Sequence, residues 1–351
     1  MKERGKKAKP EPTRKPSEMS GAKHPEKPQI TERAGVEEPI IVERELQPTR
    51  RSSFATIGDA AITIDGTVTR NKIRLSHLRR RGETCPDTVK ILEAAEVYHT
   101  FVDGMLAERL QEHVVWPYVS HIKGFGLENI AKVIARIENF GRYYDVGDRM
   151  IPYYVTREPE EYLVLKGETL ETKTGIWVSG IERLTMPSKL RKLAGHVPGM
   201  KREKGKKVMY DQTLKMLTWR LGGGLMRAQG KFYEFYEVYR QQIEAKFAAD
   251  GVKIIPTPKG RRCPDCDKEW ELKAALYCPD CGGTLTLKKE GPGTIFQGHV
   301  HNRAAARMRQ MFLDSLWAAW RELEGLPVTT PYVQSVLQHQ DIIPWRSWMD
   351  K

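Results

Sequence analysis

The sequence has no apolar run near the ~20 residues that a helix needs to cross a bilayer, which excludes an α-helical membrane span. No apolar stretch follows Met1-Lys2-Glu3-Arg4-Gly5-Lys6-Lys7 either, so no secretory signal is expected. Both absences predict a cytoplasmic chain. Cysteine is scarce, five in 351 residues, and four of the five form two CxxC pairs. In a reducing compartment that usage points to metal before disulfide. Acid is in deficit: 45 Asp and Glu face 58 Lys and Arg, a net charge of +13 with a pI near 9.4. The imbalance suggests a polyanionic partner, nucleic acid first. There is also no internal repeat with a period of roughly 20 to 50 residues.

What is present suffices for a packed core, with 40% apolar residues and 8 Trp. The length suggests two or three units. Residues 1–52 are rich in Lys, Glu, Pro, Arg and Ser with few large apolar groups, so they read as a disordered basic arm. Residues 53–115 should hold a short β-hairpin at Ile62–Val68, around Asp65-Gly66, and a long helix from Pro86 to Glu112. Residues 116–250 form a helical domain, with an irregular stretch from Tyr143 to Leu170. Its later helices fall at Ser188–Ala194, Tyr210–Arg227 and Gly230–Ala248. A cysteine-bearing insert occupies 251–292, a strong final helix lies within 293–326, and 327–351 is a tail. The expected fold is mainly α: a helical domain containing a helix-hairpin-helix, with an inserted small β zinc ribbon.

The helix-hairpin-helix expectation rests on one segment. Ile122-Lys123-Gly124-Phe125-Gly126 reads as a tight turn that opens into an amphipathic helix whose apolar positions are Leu127, Ile130, Val133, Ile134 and Ile137. Glycine permits the positive φ and close backbone approach such a turn needs, and Phe125 can plug the core between the helices. Backbone N–H groups at the turn then make an anion site. Lys132 and Arg136 lie one turn apart, off the apolar face. The candidate phosphate contacts are therefore Lys123, Gly124, Phe125, Gly126 and Lys132. Arg202, Lys204, Lys206 and Lys207 of the loop Lys201–Lys207 join them, as do Arg303 and Arg307 of the final helix.

Cys263, Cys266, Cys278 and Cys281 are spaced C-x2-C-x11-C-x2-C. Two such knuckles bring four thiolates to one tetrahedral centre, the closed geometry of structural zinc. Trp270–Tyr277 and Thr284–Leu287 alternate like ribbon strands. No position is left for a reacting water, so this Zn2+ is expected to fold the insert rather than to catalyse. Cys85 has no partner and reads as a buried small apolar group.

From about Trp116 to Ala248, and again from His299 to Leu326, the chain resembles the C-terminal transposase domain of an insertion-sequence family. That family joins a helix-hairpin-helix domain to a RuvC-like DEDD catalytic domain, and some members are guided by a bridge RNA. The matching residues are Ile122–Gly126, Ile137-Glu138-Asn139-Phe140, Leu193-Ala194-Gly195-His196-Val197-Pro198, Lys201–Lys207, Tyr210–Arg227 and Arg303–Arg307. The resemblance implies DNA binding in transposition or recombination. It also implies DNA or a guide RNA as partner, with a homo-oligomer or a separate catalytic subunit in the assembly.

The chain departs from the family in two ways. Too few ordered residues precede the hairpin to hold a four-acid Mg2+ domain, although Asp65 resembles a first-strand acid. No serine follows Pro198 before the next helix, where the family's nucleophile would stand. The sequence thus leaves three readings: a binding protein, a recombinase whose acids come from another chain, and a base-excision glycosylase or lyase with Asp145 as its acid. His121, His196, His299 and His301 read as structural, and Tyr233, Phe235, Tyr236 and Tyr239 as a packed helix face.

Overall fold

Phe54, Ala61, Val68 and Leu75 recur every seven residues, and all four are buried. In the computed structural model they form the seam of one 28-residue helix, α1 (Ser53–Arg80). The structure describes residues 53–83, 85–166, 169–197, 199–200, 205, 208–258, 260–271, 276–287, 289–329 and 343–350. The expected arm, 1–52, lies outside them, as do Arg202, Lys204, Lys206 and Lys207.

Helix α1 replaces the β-hairpin expected at Ile62–Val68. The β-branched residues there favour a strand, but a seven-residue burial seam fits only a helix. Thr63 and Thr67 turn their hydroxyls onto the carbonyls of Asp59 and Thr63, four residues back, a bond that helices tolerate. Helix α2 (Pro86–Gln111) runs antiparallel to α1: Lys72 pairs with Glu96, Asp65 faces His99, and Gly58 approaches Leu106. Cys85 precedes α2 half-buried and accepts a hydrogen bond from the Thr88 hydroxyl at 2.9 Å, so it is not the buried apolar group expected.

A short helix, α3 (Trp116–Val119), leads through the Gly-Phe-Gly turn into α4 (Leu127–Glu138). Ile130, Ala131, Val133, Ile134, Ala135 and Ile137 are all buried, so α4 is enclosed on nearly every side rather than on one face. The stretch expected to be irregular is an antiparallel sheet of β1 (Arg142–Asp145), β2 (Glu160–Lys166) and β3 (Thr169–Val178), in the order β1-β3-β2. Its register sets Tyr143 opposite Trp177, and the Tyr143 ring also stacks on Tyr162 at 4.0 Å. Such cross-strand aromatic pairs are what hold a small exposed sheet.

Helices α5 (Gly180–Arg183) and α6 (Pro187–Leu193) follow, then α7 (Gln212–Ala228) and α8 (Lys231–Ala249). Strand β4 (Lys253–Ile255) is the gateway to the insert, which holds β5 (Arg261–Arg262), β6 (Glu269–Trp270) and β7 (Thr286–Leu287) in the order β6-β5-β7. The chain returns on β8 (Thr294–Phe296), parallel to β4, and enters α9 (Gln297–Leu323).

Among the described residues the fold is mainly helical with small sheets. One apolar core runs from Phe54 to Trp348 and draws on α1, α2, α4 and α6 to α9. The expected boundaries at 115/116 and 326/327 therefore do not separate cores. Nor is 343–350 a loose tail: Trp348 stacks on Phe232 at 4.5 Å, and Trp345 meets Tyr118 edge-on at 5.7 Å. Only Cys263, Cys278 and Leu285 form a second buried cluster, inside the insert. No described helix is long and apolar enough to cross a membrane.

Candidate metal centre and anion-binding surfaces

The Sγ atoms of Cys263, Cys266, Cys278 and Cys281 all lie within 4.8 Å of one another. Cys263 and Cys281 are 3.4 Å apart, Cys266 and Cys278 3.6 Å. Disulfide sulfurs would sit at about 2.05 Å. A tetrahedron with metal–sulfur bonds of about 2.3 Å has edges near 3.8 Å, so the four thiols can hold a metal ion and are compatible with zinc.

Backbone symmetry fixes them. The N–H of Cys263 donates to Lys268 O and that of Cys278 to Gly283 O; Asp267 N–H donates to Cys263 O and Gly282 N–H to Cys278 O. Residues Asp267 and Gly282, each following a knuckle's second cysteine, are left-handed at φ 60° and 70°. Glycine adopts that conformation freely, whereas Asp267 is held by Arg262, whose Nε donates to its carboxylate at 2.6 Å. Without metal the thiols ionise unequally. Burial opposes ionisation of Cys278, yet the N–H groups of Cys281 and Asp280 bring it down to about 7. The Gly283 N–H favours the Cys281 thiolate, but hydrogen bonding with Cys263 and burial push it up to about 12.

At the Gly-Phe-Gly turn only Gly124 has positive φ, 95°. A Cβ there would lie 2.7 Å from Ala228 Cβ and 2.8 Å from Gly224 O, and one on Gly224 would strike Gly124 O at 2.3 Å. The turn is therefore pressed backbone to backbone onto the end of α7. Phe125 packs edge-on against Phe312 of α9 at 5.1 Å, in the plugging role expected of it. Gly126 is extended at φ −67° and exposed, at the N-terminus of α4.

The turn already holds an anion, and it is the chain's own. Lys123 N–H donates to Asp350 Oδ2 at 2.8 Å, and Lys231 N–H, opening α8, donates to Asp350 Oδ1 at 3.0 Å. Asp350 N–H returns a bond to His121 O at 2.7 Å. No local pattern signals that a residue 227 positions away closes this site.

Lys132 does not join it. Its side chain is buried at 3% exposure, with Nζ 2.8 Å from the buried Asp103. His99 bridges Asp103 and Asp65 at 3.3 and 3.4 Å, and Arg220 clamps Asp65. Burial raises the Asp65 carboxyl, but Arg220, Lys132 and His99 outweigh it and hold it low. The network makes Lys132 unavailable to a phosphate and Asp65 a helix residue, not a first-strand acid. Arg136 is taken up as well, by Asp211 at 2.6 Å and Asp59 at 3.4 Å.

Arg303 is exposed, with its guanidinium over Phe247, and Arg307 bonds Gln310. Arg303 precedes Phe312 by nine residues, about 13 Å along the axis and half a turn out of phase. It therefore lies on the opposite side of α9 from the contact with the hairpin turn, not on one track with it. Asp145 ends strand β1, exposed.

Tyr233, Phe235 and Tyr239 pack on the core, and the Tyr236 hydroxyl meets His301 Nδ1 at 2.7 Å. His196 bonds the Thr218 hydroxyl at 2.7 Å; burial, then Arg309 and Lys215, pull it down to about 4. No family model, curated protein or solved structure matches this chain.

Proposed function

We propose that this chain is a DNA-binding protein that grips nucleic-acid phosphates through a helix-hairpin-helix made of α3, the Lys123–Gly126 turn and α4. Its role is in transposition or recombination, as the resemblance to the insertion-sequence transposase domain implies. The observation that carries the reading is the carboxylate seated on the Lys123 and Lys231 N–H groups. Two converging backbone donors beside an exposed lysine suit a phosphate oxygen as they suit a carboxylate. The net charge of +13 supports the same partner.

The cysteine insert is a zinc ribbon whose metal stabilises its fold. Asp65, the residue resembling a first-strand acid, is committed to Arg220, which favours a separate subunit as the source of acids for any strand transfer. Phosphate contacts orient the protein without reading sequence.

Anisotropy of a labelled duplex should show log affinity falling linearly with log salt, by about 0.9 per phosphate engaged. Lys123→Glu should weaken binding to all sequences alike and lower that slope. Binding that ignores a several-fold rise in salt, or is absent at low salt, overturns the proposal. Sequencing of co-purified nucleic acid separates a guided system, which carries one discrete RNA, from a DNA binder of low specificity.

A further inference from the structure

Arg309 has no counterion among the described residues. Its Nε is shut off from solvent and makes no hydrogen bond, and no carboxylate among the described residues pairs with it. The side chain as a whole is half-buried. Burial alone lowers its pKa, with no acid to oppose the shift. An unpaired, partly desolvated charge is costly to a fold and is kept where something outside the chain completes it.

The surroundings are shaped for that completion. The Arg309 stem lies in a groove opened by Gly222 of α7, where a Cβ would fall 2.8 Å from Cδ and 2.9 Å from Cγ. Gln310, the next residue, donates to His196 O at 2.6 Å and so ties the 194–196 turn to α9. His196 lies in the field of both Arg309 and Lys215, and burial first, then those two cations, keep its imidazole neutral. Lys215 has only the Tyr210 ring beneath it, at 4.3 Å. His301 also lies within the field of Arg309 and that of Arg240, which is already paired with Glu244 at 2.9 Å. Two cations without a carboxylate partner among the described residues and an imidazole thus converge beside α7.

We infer that Arg309, Lys215 and His196 form an oxyanion pocket that takes a phosphate group, distinct from the hairpin turn. Under the nucleic-acid reading, on which this assignment of ligand rests, it holds a backbone phosphate of the bound strand; the same chemistry would hold free phosphate.

Arg309→Leu separates a binding role from a structural one. In phosphate-free buffer the variant should melt at or above the wild-type temperature, because an unpaired charge has been removed. Inorganic phosphate should raise the wild-type Tm beyond chloride at matched ionic strength, by mass action, and leave the variant's unchanged. The variant should also bind a labelled duplex at least tenfold more weakly.

A fall in Tm without phosphate, or an equal phosphate response in both proteins, overturns the pocket. A wild type stabilised by phosphate through Arg309 that fails to bind duplex overturns the nucleic-acid reading and keeps the pocket. A duplex binder indifferent to Arg309→Leu does the reverse.

Discussion

Lys132 and Asp103 are both almost fully buried and meet at 2.8 Å. Each is tolerable inside the helical core only because of the other. Lys132→Met leaves a carboxylate buried without its cation and should cost about 3–5 kcal/mol. Adding Asp103→Leu should recover most of that, since a well-packed apolar pair often matches a buried ion pair. Urea unfolding of the three proteins reads both numbers. A single variant as stable as wild type would mean that the carboxylate has other support. Duplex affinity should not change in the double variant, because Lys132 does not reach the surface.

Nothing local could have placed Lys132 inside. Its neighbours Ile130, Val133 and Ile134 mark the buried face correctly, but its partner is 29 residues away on another helix. The same holds for Arg309: a lone arginine on an amphipathic helix reads as solvated until the absence of a partner is seen in three dimensions.

At the scale of elements, legibility followed the range of the interactions. Helices α2, α6, α7, α8 and α9 were readable because a 3.6-residue period is written locally. Helix α1 was misread because β-branched Ile62, Thr63, Ile64 and Val68 outvote, over seven residues, a burial seam that becomes visible only over twenty-eight. The β1-β3-β2 sheet was missed because its order is set by pairing across the chain, Tyr143 to Trp177, not by alternation within each strand.

The cysteine insert was the most legible element, since ligand spacing carries its own geometry. Its described apolar cluster is Cys263, Cys278 and Leu285 with Cys266 and Trp270 packed against them, a core so small that metal is expected to supply much of its folding energy. One zinc per chain should be found by elemental analysis, and Cys278→Ser should abolish it. Chelation should disperse the NMR resonances of 260–287 into unfolded positions while helical circular dichroism persists. Loss of the whole helical signal would show that the core depends on the insert.

At the scale of the whole molecule, the segment 343–350 packs back onto the helical core. Trp345 and Trp348 enter the common core and deliver Asp350 to the hairpin turn and the start of α8. Asp350→Asn keeps the shape and removes the charge. It should cost at most about 1 kcal/mol of stability, the scale of a lost helix-terminal acceptor, and should tighten duplex binding several-fold. Unchanged or weaker binding in anisotropy would mean that the turn does not compete for phosphate.

A carboxylate on the same chain cannot be diluted away. Held by two packed tryptophans, it faces the turn at an effective concentration on the order of millimolar or above, whatever the concentration of protein. Under the proposed function an incoming phosphate must first win that contest, so the apparent dissociation constant would be the intrinsic one divided by the fraction of time the turn stands open. A ligand offering one phosphate gains little from displacing Asp350. A strand that engaged several sites at once would recover the loss elsewhere, and Asp350 would then act as a threshold that separates polymers from small anions.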